Sequence, residues 1–323
     1  MKRNDIYITM YHYVRDLEHS RYPNIRGMNI NQFREQLEFF DSNFNIICME
    51  ELIDSVNGEY DLPEKSLLLT FDDGYIDNYT YVLPLLEEYG MQGSFFIPGK
   101  TVKEHKLLDV NKVHYVLASA DIKYIVKDLK DSMDYYRGSE YDYPETEALW
   151  KDYALKSRFD DRGTVFVKKM LQAVLPEKLR NEISSELFKK YVGISESKIA
   201  YELYMSEDQL RTLKRHGMYI GIHGYDHYWL SNLPKKKMQE DIEKALLVMD
   251  EYIDRGQWVM NYPYGDYNEN VIEFVESKGA CLGLTTQVKT YDINIDSRFE
   301  IPRFDCNDFP PKSDGYQCLA SRI

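Results

Sequence analysis

Residues 66–74 read Ser66-Leu-Leu-Leu-Thr-Phe-Asp72-Asp73-Gly74. A short apolar run bounded by turn residues fits a strand buried on both faces. This run delivers two adjacent carboxylates and a glycine at its carboxyl end. Six further β-rich runs lie at 6–11, 94–97, 218–222, 258–261, 281–285 and 299–303, making seven in all. Helical patterns separate them at 31–40, 78–89, 206–216, 235–252 and 268–278, and Pro234 opens the fourth of these at its first turn. A helical stretch ends at a glycine before a β-rich run at Gly90, Gly217, Gly256 and Gly279. Glycine just past a helix takes the left-handed cap without a Cβ clash, so each case reads as a helix-to-strand connection. Strand and helix alternating in this way imply an α/β fold, a mostly parallel sheet with helices outside it.

The segment 101–205 breaks the rhythm. It contains no good strand, and its apolar residues at 166–174 and 179–192 recur at three- and four-residue spacing, as in one-sided helices. A structureless loop of that length does not suit a compact domain. We read the stretch as a helical insertion between the third and fourth strands, a lid or a subunit interface through which the chain would form a homo-oligomer. The barrel then comprises 1–100 and 206–323. Tyrosines clustered at 135–143 suit either stacking on a saccharide or ordinary helical packing, and His114 in the same segment reads as structural.

Composition bounds the function. The 323 residues are 43% hydrophobic and 29% charged, which excludes wholesale disorder. A net charge of −14 works against capture of nucleic acid or an anionic membrane surface. No stretch approaches the roughly 20 apolar residues of a membrane span, and the N-terminus lacks a signal-peptide apolar core. Four cysteines without C-x-x-C spacing read as reduced, mostly buried thiols. Together these features lead us to expect a cytoplasmic protein.

Polar clusters fall at the carboxyl ends of the strands, where parallel α/β barrels place their active sites. Beside Asp72-Asp73 these are His223-Gly-Tyr-Asp-His227, Tyr262-Pro-Tyr-Gly265 and Arg303-Phe-Asp305. Two adjacent carboxylates in a partly dehydrated site repel, and a divalent cation or shared proton relieves the cost. Asp-Asp-Gly also suits a turn with helix capping, although capping needs only one aspartate. Imidazoles four residues apart face the same side of a turn, and imidazole is the commonest ligand for zinc-like metals. Such a pair alone is equally compatible with a structural or solvated role. With Asp73 it makes a two-histidine, one-aspartate set with a position left open, as catalytic metal sites have. Asp72 is then available as a general base.

Thr70-Phe-Asp-Asp-Gly, His223-x-x-x-His227 and Tyr262-Pro-Tyr-Gly, with Tyr11-His12 before them, resemble the polysaccharide deacetylases of the NodB type, carbohydrate esterase family 4. The resemblance covers about 6–100 and 205–305. It implies an irregular (β/α)7 TIM-like barrel in which Asp73, His223 and His227 hold Zn2+ or another divalent metal. It further implies that Asp72 deprotonates the attacking water and that the Tyr264 main-chain N–H helps bind the oxyanion. The implied reaction removes an N-acetyl group from an amino sugar, such as a glycan precursor. A deformylase or cyclic-amide hydrolase on the same site, and a catalytically silent glycan- or protein-binding barrel, remain alternatives. Two departures stand out. The family's arginine that braces the catalytic aspartate is Asn261 here, which leaves Arg303 to reach that carboxylate or to sit at the surface. The family's general-acid histidine is absent from Leu282-Gly-Leu-Thr-Thr286, which leaves His12 as proton donor or as a core histidine.

Overall fold

The computed structural model describes residues 5–138 and 140–320. Residues 1–4, where the two basic residues of the N-terminus fall, and 321–323 lie outside the described residues. The chain forms two compact units, one of 1–16, 27–105 and 201–323, the other of 17–26 and 106–200.

Among the described residues the larger unit holds ten strands: β1 Tyr7–Tyr11, β2 Val14–Arg15, β3 Met28–Asn29, β4 Asn45–Ile46, β5 Ser66–Asp72, β6 Gly93–Ile97, β7 Tyr219–Ile222, β8 Val259–Asn261, β9 Leu282–Leu284 and β10 Phe304–Asp305. The main sheet runs β10-β1-β5-β6-β7-β8-β9, with β4 also on β5, and β2 and β3 pair separately. Every pairing in the main sheet is parallel. The sheet curls with helices around it, in keeping with an irregular (β/α)7 barrel. Alternation along β5 follows the two-residue period of a strand. Leu67, Leu69 and Phe71 join a core with Phe33, Leu37 and Ile242 of the surrounding helices. Leu68 points the other way, into a second cluster with Ile8, Phe96, Val259 and Leu284. Thr70 and Asp72 therefore share the face of Leu68, and the strand that buries both faces brings a carboxylate to the end of the barrel interior.

Two boundaries differ from the sequence reading. The last strand is Phe304–Asp305 on β1, five residues later than the start expected at 299, while Ile301 makes a lone parallel bridge to Leu284. Pro302 carries no N–H and interrupts any longer ladder. This one segment consequently touches β9 and β1, at opposite ends of the sheet. Gly90, Gly217 and Gly279 have the left-handed backbone expected of them, but Gly256 does not. Helix Lys235–Met249 has already ended there, so Gly256 belongs to a following turn. A helix at Met49–Val56, absent from the sequence reading, is opened by a capping box between Cys48 and Glu51.

The smaller unit is helical. Helices Asp109–Ser119, Ile122–Tyr136, Arg162–Lys169 and Glu177–Tyr191 bury Val113, Leu129, Phe166, Val167, Ile183 and Leu187. Residues 17–26 belong to it, and Asn24 Nδ2 donates to Ala118 O at 3.3 Å. No helix among the described residues is long and apolar enough to cross a membrane.

Candidate metal centre and active site

Three loops at the strand ends bring the chemistry together. Asp73 leaves β5 with φ 72, His227 has φ 58 and Tyr264 has φ 60. A positive φ costs an L-residue on the order of 1–3 kcal/mol, so such strain persists only where the surroundings impose it. These three lie in the motif loops at the strand ends, while Lys65 and His105, also at positive φ, lie outside them.

Asp73, His223 and His227 are all buried, and one ligand atom from each lies within 4.8 Å of the others. The His223 and His227 Nε2 atoms stand 3.5 Å and 3.3 Å from Asp73 Oδ1. His223 Nδ1 lies 2.7 Å from the Asn261 carbonyl, which can only accept, so the proton sits on Nδ1 and Nε2 presents a lone pair. Burial, only partly opposed by Asp73, pulls the His227 pKa below its ordinary value and favours the neutral ring. Burial would raise the Asp73 carboxyl, but positive charge on the two imidazoles beside it would hold it well below the usual range, as a bound cation would. Asp73 Oδ1 is buried without a hydrogen-bond partner. A carboxylate oxygen and imidazole nitrogens thus converge on one point with no donor between them, a costly arrangement that a cation satisfies. The residues present fit a divalent metal.

Asp72, 2% exposed, lies beside this cluster and is held differently. Arg303, 1% exposed, donates from Nη1 to Oδ1 at 2.9 Å and from Nη2 to Oδ2 at 3.0 Å. The guanidinium is itself fixed by the Thr285 carbonyl, Thr70 Oγ1 and Asn261 Oδ1. Asn261 Nδ2 also donates to Asp72 Oδ1 at 2.8 Å. Burial pushes the Asp72 carboxyl upward, and Arg303, followed by His223, brings it below its ordinary value. The carboxylate stays ionised and acceptor-only. His12 Nε2 is 4.0 Å from Asp72 Oδ2, outside hydrogen-bond reach, and its side chain is 38% exposed. The Tyr264 ring lies edge-on to His227 at 4.6 Å and stacks on Trp229 at 4.8 Å.

Three positioning residues have no counterpart in the sequence reading. The Tyr75 hydroxyl donates to Asp73 Oδ2 at 2.5 Å, and Asn261, read above only as a lost arginine, bonds Asp72, Arg303 and His223. Asp241, on helix Lys235–Met249, accepts the main-chain N–H groups of Tyr225 and Asp226, each at 2.9 Å, and so caps the loop that carries both histidines. Tyr75, two residues after Asp73, carried a local signal, whereas nothing in the spacing connects Asp241 to His227.

Burial pushes the Asp241 pKa from 3.8 to about 6, against the lowering effect of those two N–H groups. An acid with a raised native pKa favours folding while protonated, and that contribution is lost as pH rises through the native value. A shift from 3.8 to about 6 corresponds to a decline on the order of 3 kcal/mol. In metal-free protein, urea unfolding from about pH 4 to about pH 7 should therefore show wild type losing stability relative to Asp241→Asn. Curves that stay parallel across this window would exclude the titration.

Fold and site place the molecule among parallel α/β barrels that gather polar chemistry at the carboxyl ends of their strands. A family model described as polysaccharide deacetylase matches residues 59–133 and 158–282, more than half of the chain, and the chain belongs to that family. YxkH of Bacillus subtilis (strain 168), whose name also places it with polysaccharide deacetylases, is 19% identical over 281 residues. That match covers 87% of this chain and 64% of YxkH, so the chain spans less than two thirds of its relative's length. Among solved structures, the deacetylase PplD of Streptococcus pyogenes shares 15% identity, 99% of this chain, 100% of PplD and a TM-score of 0.59. IcaB of Ammonifex degensii shares 18% identity, 97% and 95% of the two chains, and a TM-score of 0.56. At these identities the likeness is one of fold.

Proposed function

We propose that the chain is a metal-dependent hydrolase that removes the N-acetyl group of an amino sugar, in surface-glycan or sugar-precursor metabolism. The observation that carries this reading is the meeting of two differently prepared carboxylates in one buried site. Asp73 points an unpartnered oxygen at two imidazoles, while Asp72 is clamped by Arg303 and kept ionised. Membership of the polysaccharide deacetylase family supports the substrate class. The fold neighbour PplD, a deacetylase solved in complex with acetate, supports acetate as the product.

In this reading Asp73, His223 and His227 hold zinc or another divalent ion. When bound, that ion would supply Lewis-acid polarisation and a more acidic attacking water. Asp72 accepts the proton of the attacking water, and Arg303 with Asn261 keeps its oxygens aimed and ionised. The Tyr264 N–H donates to the carbonyl oxygen as charge develops on it. His12, with Nε2 4.0 Å from Asp72 Oδ2 and a side chain 38% exposed, protonates the departing amine. Retention of the Asp72 clamp argues against a silent binding barrel, which has no use for an ionised, oriented base.

Elemental analysis of wild type and His227→Ala, purified without chelator or nickel resin, tests the reading. The expected result is about one ion per wild-type chain, lost from the variant, with acetate released from N-acetylhexosamine substrates by wild type alone. Wild-type protein that binds no ion even after reconstitution would overturn the hydrolase mechanism.

A further inference from the structure

Tyr75 is fully buried, and its hydroxyl donates to Asp73 Oδ2. The ring cannot easily swing away. It stacks on Tyr13 at 4.2 Å with an 11° interplanar angle, and lies near-parallel to Tyr204 at 6.2 Å. The backbone is pinned as well, by a bridge from Tyr75 to Tyr204 and by the Met205 N–H on the Gly74 carbonyl at 3.0 Å. The other carboxylate oxygen, Oδ1, is the one without a partner, and it faces the two imidazoles. The two oxygens of Asp73 thus have separate surroundings, one taken by a fixed donor and one left open.

Resting on the metal reading above, we infer that the Tyr75 hydroxyl is a positioning residue that makes Asp73 a one-oxygen ligand and so biases the site toward small ions of low coordination number. A carboxylate whose second oxygen is engaged by a buried donor presents a single oxygen to a cation, and such outer partners orient the ligand and tune its affinity. Zinc, satisfied by four ligands, suits one oxygen and two imidazoles with a position left for water. Larger oxygen-seeking ions draw on two-oxygen carboxylates to fill six to eight positions and lose that option here. The strained φ of Asp73 adds to the need, because the backbone turn alone does not choose between its two oxygens.

Tyr75→Phe removes the hydroxyl and keeps the ring. In competition with a chromophoric chelator, zinc affinity should fall about 10- to 100-fold. The visible absorption of the cobalt(II)-substituted variant should weaken per bound ion as the freed oxygen raises the coordination number. Tyr13→Leu loosens the stack but keeps the hydroxyl, and should weaken zinc binding less than Tyr75→Phe does. Metal-free thermal unfolding of each variant controls for folding. Tyr75→Phe with wild-type zinc affinity and an unchanged cobalt spectrum would overturn the inference, leaving Tyr75 a packing residue. Equal weakening by Tyr13→Leu would also overturn it, because ring packing would then govern the site. Wild type that takes up no ion fails the underlying metal reading itself, a result distinct from either.

Discussion

Asp72→Asn is expected to lower acetate release by roughly two to four orders of magnitude, the usual worth of a positioned general base, and to leave bound metal near the wild-type level. The two effects separate because the two aspartates are prepared for different work. Asp73 Oδ1 faces His223 and His227, and Asp72 makes none of those contacts. Asp72 instead accepts from Arg303 and Asn261, and its burial against a fixed cation leaves an acceptor beside the metal ligands. An amide there cannot take a proton from water, and its nitrogen would face the Arg303 donors, so thermal unfolding is followed in parallel. Wild-type turnover in the variant would sink the assignment of Asp72 as base. Loss of metal together with turnover would show that the carboxylates are not divided as described.

Arg303→Met is the more damaging change for the fold. Removing one partner of a buried ion pair leaves the other charge uncompensated, at a cost of about 3–5 kcal/mol. Asp72 is 2% exposed and would keep only the Asn261 amide. Arg303 also donates to the Thr285 carbonyl and Thr70 Oγ1, which would lose a partner each. The expected result is a fall in melting temperature of several degrees and turnover reduced at least as far as the base is misplaced. Arg303→Lys keeps a charge but not the planar two-point fork, so it should recover part of the stability and little of the activity. Unchanged unfolding and turnover in Arg303→Met would contradict the clamp.

The residues of the candidate metal centre were legible as a group because each lies in a short local pattern at a strand end. Asp73 follows an apolar run, and His223 and His227 are four residues apart after another. The reach of Arg303 could be named as one option and no more. It comes from a segment that touches β9 and β1, at opposite ends of the sheet, and its distance from Asp72 depends on how the sheet curls. Asn261 read as a lost arginine, yet it bonds Asp72 with its side chain and His223 with its carbonyl. Residue type at one motif position did not reveal that Asn261 shares the bracing role with Arg303.

Two local signals carry what the sequence alone determined. A short apolar run at 66–71 ending in two carboxylates, and helical stretches closing on a glycine before the next run, specified an α/β fold with chemistry at the strand ends. Those signals are local, because they express the burial and the caps of single elements. Only the tertiary structure decided which donor meets which acceptor: Tyr75 on Asp73 Oδ2, Arg303 across both oxygens of Asp72, and Asp241 beneath the histidine loop. These contacts join groups up to 231 positions apart. They depend on barrel curvature, on left-handed turns at Asp73, His227 and Tyr264, and on the burial that makes each unpaired polar atom costly. Apart from the short step from Asp73 to Tyr75, none of these contacts joins neighbouring residues, so the rest could not be read along the chain.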